Sequence, residues 1–249
     1  MLEPGEIKKA LDGHAEWLES NETQGECISW VGKNMIRAEL EGADLRKADL
    51  REVNLSGAKL QKARLDGANL ERARMSAANL RGASLEGANL NGAHLQNTIL
   101  VGANLRNVDL APSDLELANM ARADLTGSDL QKANLRRVDL TDAILVDTDL
   151  RRIDLAEANL QATKLTGMDL SQCTFVGANL KKAKMQKTTL AQVDFTDADL
   201  RDAKLNESDF YKVIFSNTDL RGADLRRASS IGSAILENTI TNEKTLLRD

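Results

Sequence analysis

Several residue types that shape most globular domains are scarce in this sequence of 249 residues. Aromatic residues make up 3% of it, and there are two prolines, two cysteines and two histidines. Two cysteines are too few for a disulfide-stapled scaffold. Apolar residues recur singly and never form the run of about 20 residues that a membrane-spanning helix requires. These absences favour a narrow interior built from small aliphatic side chains, in a protein of the reducing cytoplasm.

The sequence also lacks the usual signatures of catalysis. Its two histidines, His14 and His94, belong to no group of Cys, His or carboxylate residues at metal-ligand spacing. The sequence has no glycine-rich phosphate loop, and no serine stands in a nucleophile elbow. We therefore expect no metal, no cofactor and no catalytic residues, and the sequence predicts a protein that is not an enzyme.

In place of such motifs, one five-residue unit is repeated without insertion or deletion over residues 36–225. Every position divisible by five from Leu40 to Leu225 is apolar, and 31 of these 38 residues are Leu. We call this position the centre. A helix requires apolar residues at a period near 3.6, and a half-buried strand requires a period of 2. A period of five fits neither, so the chain must turn by a fixed amount in every unit, as a solenoid does.

Three other positions of the unit are also restricted. The residue two before the centre is Ala in 22 units, and the residue between them, the middle position, is Asp or Asn in 24 units. Residues two apart in extended backbone point to the same side, so the first two face inward and the middle position faces outward. Every glycine in residues 36–225 falls two residues after a centre. We call this the turn position, because glycine adopts the positive φ of tight turns without steric cost.

The recurring A(D/N)LXX pattern resembles that of the pentapeptide-repeat family over about three quarters of the chain. The resemblance implies an all-β fold, a right-handed quadrilateral β-helix with four units, or twenty residues, in each coil. The 38 units would then make about nine and a half coils. Phe175, Phe195 and Phe215 are separated by twenty residues, so they would stack on one face. Periodicity alone gives neither the four sides nor the handedness.

Residues 1–35 precede the repeats and are predicted to form a helical cap over the first coil. An open end of a β-helix exposes unpaired backbone edges that must be covered to prevent aggregation. Pro4 suits a first helical turn, and apolar residues recur at helical spacing from Ile7 to Leu18.

Residues 226–249 follow the repeats and are predicted to form the opposite cap and a short tail. The five-residue pattern decays there, because Ser230 occupies a centre position. Ile235 and Ile240 are nevertheless predicted to keep the phase of the repeat as inward-facing centres.

Two rows of like charge would stand on neighbouring faces of a twenty-residue coil. Like charges about 4.8 Å apart repel by roughly 1 kcal/mol even in water. Either the carboxylates accept hydrogen bonds from turn amides and are softened by nearby Arg151 and Arg152, or the rows dock a charged partner. The candidate partner-binding residues are Asp109, Asp129, Asp149 and Asp169 in the acidic row, and Lys164, Lys184 and Lys204 in the basic row.

These observations favour a bacterial protein-interaction scaffold or regulator that presents a rigid β-helix to a protein partner. As an alternative, quinolone-resistance members of the family resemble B-form DNA in width and charge and bind DNA gyrase. Those members are markedly acidic, whereas the repeats here carry 26 basic and 28 acidic residues. We expect neither membrane association nor direct nucleic-acid binding, and the oligomeric state stays open between a monomer and an end-to-end dimer.

Overall fold

A computed structural model describes residues 2–246 of the chain. The last three residues of the predicted C-terminal segment lie outside this range. The chain divides into two compact units. The first unit comprises Met1–Ala133 and Val146–Thr148, and the second comprises Asn134–Leu145 and Asp149–Asp249.

The first unit opens with helix α1, Pro4–Glu19. The proline occupies the first turn, where its missing N–H is not needed, and the Glu3 N–H donates to the Glu6 carboxylate at 2.7 Å. The helix therefore begins at the residue where the sequence predicts it.

His14 is the fully buried contact between α1 and the first repeats. Its Nδ1 accepts a hydrogen bond from the Ile28 N–H at 3.1 Å, so its Nε2 must carry the proton and donate to the Arg46 carbonyl, 3.0 Å away. The ring also stacks on Trp17 with centroids 5.5 Å apart. Burial lowers the pKa of His14 below its ordinary value of 6.5, because the charged form loses its hydration.

After α1, the first unit is a ladder of single-residue parallel bridges at the middle positions. The bridges run from Ser29 with Asp49 to Asp109 with Asp129, and each joins residues twenty apart. The centre N–H donates to a middle-position carbonyl of the next coil, as Leu50 does to Asn69 at 2.7 Å. The first unit is therefore a β-helix with twenty residues in each coil.

The second unit contains the same ladder, from Asn134 with Asp154 onward. Phe175, Phe195 and Phe215 occupy one position in successive coils, and their rings are stacked at 5.3 and 5.5 Å. Phe210 meets the last ring edge-on at 5.5 Å. The predicted aromatic stack is confirmed.

The interior of both units is formed by the centres and the small residues two before them. Every centre from Leu40 to Leu225 is at most 1% exposed, which confirms the inward assignment. Inward hydroxyls bind backbone carbonyls of the preceding coil, as Thr98 does to Met75 O at 3.1 Å. Both cysteines are free thiols, and burial raises the pKa of Cys173 to about 12.

The turn position has positive φ whether or not the residue is glycine. Gly102 has φ 64°, and Lys47 and Leu117 have φ 60° and 61°. The left-handed conformation costs a residue with a Cβ about 1–2 kcal/mol, so the fold imposes it against the local preference. Pro112 stands at a turn position but is not among the residues with positive φ, because its ring holds φ near −65°.

The prediction that Ile235 and Ile240 keep the phase of the repeat is wrong. They pair with the middle positions Ile214 and Asp219, and so lie outward, 50% and 47% exposed. The reason is a short 3-10 helix, Ile231–Ser233, entered through Ser230 at φ 57°, which adds one residue to the coil. A one-residue shift moves every following side chain to the opposite side of the backbone.

Among residues 2–246, no helix combines the length and apolarity required to cross a lipid bilayer.

Candidate partner-binding surfaces

Each carboxylate of the predicted acidic row accepts a hydrogen bond from the backbone N–H two residues later. The bond lengths are 3.0 Å at Asp109, 2.9 Å at Asp129, and 3.0 Å at both Asp149 and Asp169. The same bond recurs at middle positions on other faces, including Asn79 and Asp199. Asp and Asn therefore have a common local role, which is to fix the tight turn that follows each centre.

The structure divides the four aspartates between the two units. Asp109 and Asp129 are bridged in successive coils of the first unit, whereas Asp149 and Asp169 belong to the second. Arg151 binds Asp149 through two hydrogen bonds of 3.0 and 2.7 Å, and this contact holds the pKa of Asp149 below its usual value. Arg152 donates instead to Gln172 at 2.8 Å.

The predicted basic row lies entirely in the second unit. Lys164, Lys184 and Lys204 are bridged in register in three successive coils, and all three are exposed. Within residues 2–246 none of them forms an ion pair. The next residue of the row, Asp224, is held by Arg226 at 2.9 Å. Three exposed lysines without an ion pair therefore occupy coils about 4.8 Å apart, and the charge of Lys204 also helps to lower the pKa of Asp224.

A third surface, which the sequence analysis missed, lies in the first unit. It is a groove of about 750 Å³. Its lining consists of the turn positions Gly32, Glu52, Arg72 and Gly92 and the middle positions Asn34, Asn54, Arg74 and His94. The sequence signal is a basic residue, Arg74, at a position that usually holds Asp or Asn. His94 lies in this groove, exposed as its middle position predicts.

Across residues 2–246, no group of His, Cys, Asp or Glu side chains is arranged to hold a metal ion.

Twenty-residue coils, apolar centres and Asx-type turns define a β-helical solenoid, and similarity to known proteins supplies its family. A profile of pentapeptide repeats in 8 copies matches residues 34–72, 73–111 and 118–155, and a profile of the pentapeptide repeat region matches residues 158–225. The chain belongs to the pentapeptide-repeat family. No curated protein matches the sequence significantly.

Three solved structures illustrate the range of similarity. HetL from the cyanobacterium Nostoc sp. strain PCC 7120, involved in heterocyst differentiation regulation, is 26% identical, covers 96% of this chain and 95% of its own, and has a TM-score of 0.52. QnrB1, a plasmid-mediated fluoroquinolone resistance protein, is 14% identical over 87% and 92% of the two chains, with a TM-score of 0.34. A pentapeptide repeat protein of the Arabidopsis thaliana thylakoid lumen is 22% identical over 49% and 68%, with a TM-score of 0.29.

Proposed function

We propose that the protein is a non-enzymatic bacterial scaffold or regulator that acts in the cytoplasm by binding a protein partner through the charged faces of its β-helix. The observation that carries the proposal is the row of Lys164, Lys184 and Lys204, exposed and in register without an ion pair in residues 2–246. Holding like charges together costs free energy, which an acidic partner surface would recover.

The interior supports a role in binding rather than catalysis. Leu and Ala side chains make up most of the interior of both units, and the groove that ends at His94 lies on the outer surface. The likeness to HetL, a protein involved in regulation, supports a regulatory role in general terms. We further propose that the coils are right-handed and four-sided, as the family resemblance implies, and that the 38 units make about nine and a half of them.

Asp109 and Asp129 in the first unit, and Asp149 and Asp169 in the second, are further proposed contact residues. Their support is weaker than that of the lysines, because each carboxylate already accepts a turn N–H. An alternative function, modulation of DNA gyrase by mimicry of DNA, would require this acidic row. The nearly balanced charge of the repeats, 26 basic against 28 acidic residues, favours the scaffold over the mimic.

The test compares two surface variants with the parent protein. One variant changes Lys164, Lys184 and Lys204 to Gln, and the other changes the four aspartates to Asn, which keeps their ability to accept turn hydrogen bonds. Partners captured from a bacterial lysate by the parent are identified, purified and titrated against all three proteins. We expect the lysine variant to associate more slowly and with less dependence on salt. Unchanged binding by both variants would refute the charged faces as the contact surface.

A supercoiling assay with purified DNA gyrase tests the alternative. The scaffold hypothesis predicts no effect of the protein on supercoiling. Inhibition that disappears in the aspartate variant and persists in the lysine variant would favour DNA mimicry.

A further inference from the structure

The groove of the first unit is lined mainly by hydrogen-bond donors in successive coils. Its middle positions are Asn34, Asn54, Arg74 and His94, bridged in this order. The Oδ1 atoms of the two asparagines accept turn N–H groups at 3.2 and 3.1 Å. Their NH2 groups have no partner in the part of the chain that the structure describes. The floor of the groove therefore presents amide, guanidinium and imidazole groups in one line.

The groove also contains a backbone N–H that has lost its usual acceptor. At the turn positions of the three preceding coils, the N–H donates to a carbonyl of the next coil, as Arg72 does to Asn91 at 2.8 Å. The Gly92 N–H has no such bond within residues 2–246. At the corresponding place in the next coil stands Pro112, which is not among the residues with positive φ and directly follows Ala111, whose carbonyl would be the expected acceptor. A free N–H thus remains next to His94.

The arginines of the groove lack a contact that six other arginines of the chain form. Six arginines outside the groove, including Arg46 and Arg201, are bound by the carboxylate two residues before them. Arg74 is exposed and has no ion pair within the described range, and Arg72 has one contact of 3.8 Å with Glu71. Both guanidinium groups are therefore available to bind a carboxylate in bidentate geometry.

Three carboxylates limit what the groove accepts. Glu52 lines it, Glu71 adjoins Arg72, and Asp114 follows His94 in register, where it accepts a hydrogen bond from Gln96 at 2.6 Å. A continuous polyanion such as a nucleic acid would meet Glu52 and Glu71 beside the donor line and Asp114 beyond its His94 end. Carboxylates spaced along an extended peptide avoid them, because alternate side chains of such a peptide point away.

We propose that this groove binds an acidic peptide segment in extended conformation, with one carboxylate on Arg74 and a second on the Gly92 N–H, Arg72 and His94. The proposal rests on the proposed function, because it specifies a kind of protein partner. Four coils about 4.8 Å apart match about four or five extended residues.

The test uses a fluorescently labelled hexapeptide of alternating Ala and Glu, with a second peptide in which Gln replaces Glu. Binding to the full chain is followed by fluorescence anisotropy. We expect saturable binding of the Glu peptide with a Kd below about 1 mM and none of the Gln peptide. NMR should show the Gly92 amide signal shifting during the same titration.

Four variants localise the binding. Arg74→Gln should weaken it at least about tenfold, whereas Arg64→Gln, at a middle position on another face where Arg64 pairs with Asp44, should leave it unchanged. Glu52→Gln should strengthen binding, because it removes a repelling charge. Pro112→Gly restores a residue that can adopt positive φ. It should protect the Gly92 amide from hydrogen exchange and weaken binding by between about twofold and tenfold.

Three results would overturn the proposal: no saturable binding up to about 1 mM peptide, equal binding by the parent and Arg74→Gln, or displacement of the peptide by an oligonucleotide more readily than by free Glu peptide. Inorganic phosphate is the competitor that identifies a simple anion site. Full displacement of the labelled peptide by phosphate at the same concentration as the competing Glu peptide would also refute the proposal of a peptide-binding groove. The lysine-row variant keeps the groove and should bind the peptide normally. If the lysine variant loses the captured partners and the parent does not bind the peptide, the groove is refuted as a peptide site. The proposed function is then retained.

Discussion

The stack of phenylalanines in the second unit allows a test of how neighbouring coils stabilise each other. Phe195 lies between Phe175 and Phe215 at 5.3 and 5.5 Å, and all three are fully buried. The same position holds Leu135 and Leu155 in earlier coils of the unit, both fully buried, so the backbone accepts Leu there. Replacing Phe195 with Leu therefore removes ring contacts without introducing a foreign residue type.

The expected loss follows from the number of ring pairs broken. Each stacked pair contributes about 0.5–1.5 kcal/mol beyond burial, so Phe195→Leu, which breaks two pairs, should cost about 1–3 kcal/mol. Phe175→Leu breaks one pair and should cost about half as much. In double-mutant cycles, Phe175 and Phe195 should couple by about 0.5–1.5 kcal/mol. Phe175 and Phe215, which have no ring contact, should couple by less than about 0.5 kcal/mol.

The free energies are obtained from urea unfolding followed by circular dichroism. Comparable coupling in the two cycles would show that the rings act through the whole unit rather than through contact between adjacent coils. Equal destabilisation by Phe175→Leu and Phe195→Leu would contradict the reasoning from ring pairs, because the structure gives these residues different numbers of neighbours.

Three further predictions concern the core, the turns and the cap. Leu130→Asp buries a carboxylate without a partner and should lower the unfolding free energy by several kcal/mol. The adjacent exposed change Gln131→Asp should alter it by less than about 0.5 kcal/mol. Equal melting temperatures of the two variants would contradict the inward assignment of the centres. Leu117→Gly, at φ 61°, should raise stability by up to about 1 kcal/mol, and Gly102→Ala, at φ 64° with open space around it, should lower it by a similar amount in chemical denaturation. The pKa of His14 is lowered on folding, so its contribution is complete above the unfolded value of 6.5 and is lost as the pH falls through the folded pKa. Thermal melts at about pH 7.5 and about pH 5.5 should show a larger acid destabilisation in the parent than in His14→Gln, and equal losses would refute a lowered pKa of His14 in the folded state.

The sequence alone predicts the features that are the same in every five-residue repeat. Leu at the centres, Ala two residues earlier and glycine at the turn position gave the inward face and the turns, because each additional unit repeats the same steric demand. The spacing of Phe175 and Phe195 gave the aromatic stack for the same reason. Helix α1 was predicted from Pro4 and a 3.6-residue apolar period.

The features that the sequence did not predict each depend on a single departure from the repeat. Ile235 and Ile240 kept the arithmetic of five, but one extra residue in the turn at Ile231–Ser233 moved both outward. The Gly92 N–H in the groove lacks the bond to the next coil that the preceding turn positions form, and Pro112 stands at the corresponding place twenty positions away. The five-residue pattern does not show which backbone hydrogen bonds between coils are missing.

The constant bridge spacing of the first unit has a consequence for how such a chain can change its length. Deleting twenty consecutive residues would remove one whole coil and leave every remaining side chain above a residue of the same face. Deleting five residues between Asn54 and Arg74 would keep the apolar centres in phase. It would also shift every following row by one five-residue repeat, so that Arg74 and His94 would no longer stand over Asn34 and Asn54. Apolar residues of the interior thus recur every five positions, whereas residues of one face recur every twenty. Contacts between residues twenty apart, such as the ion pair of Arg64 with Asp44, keep their register only under the first change.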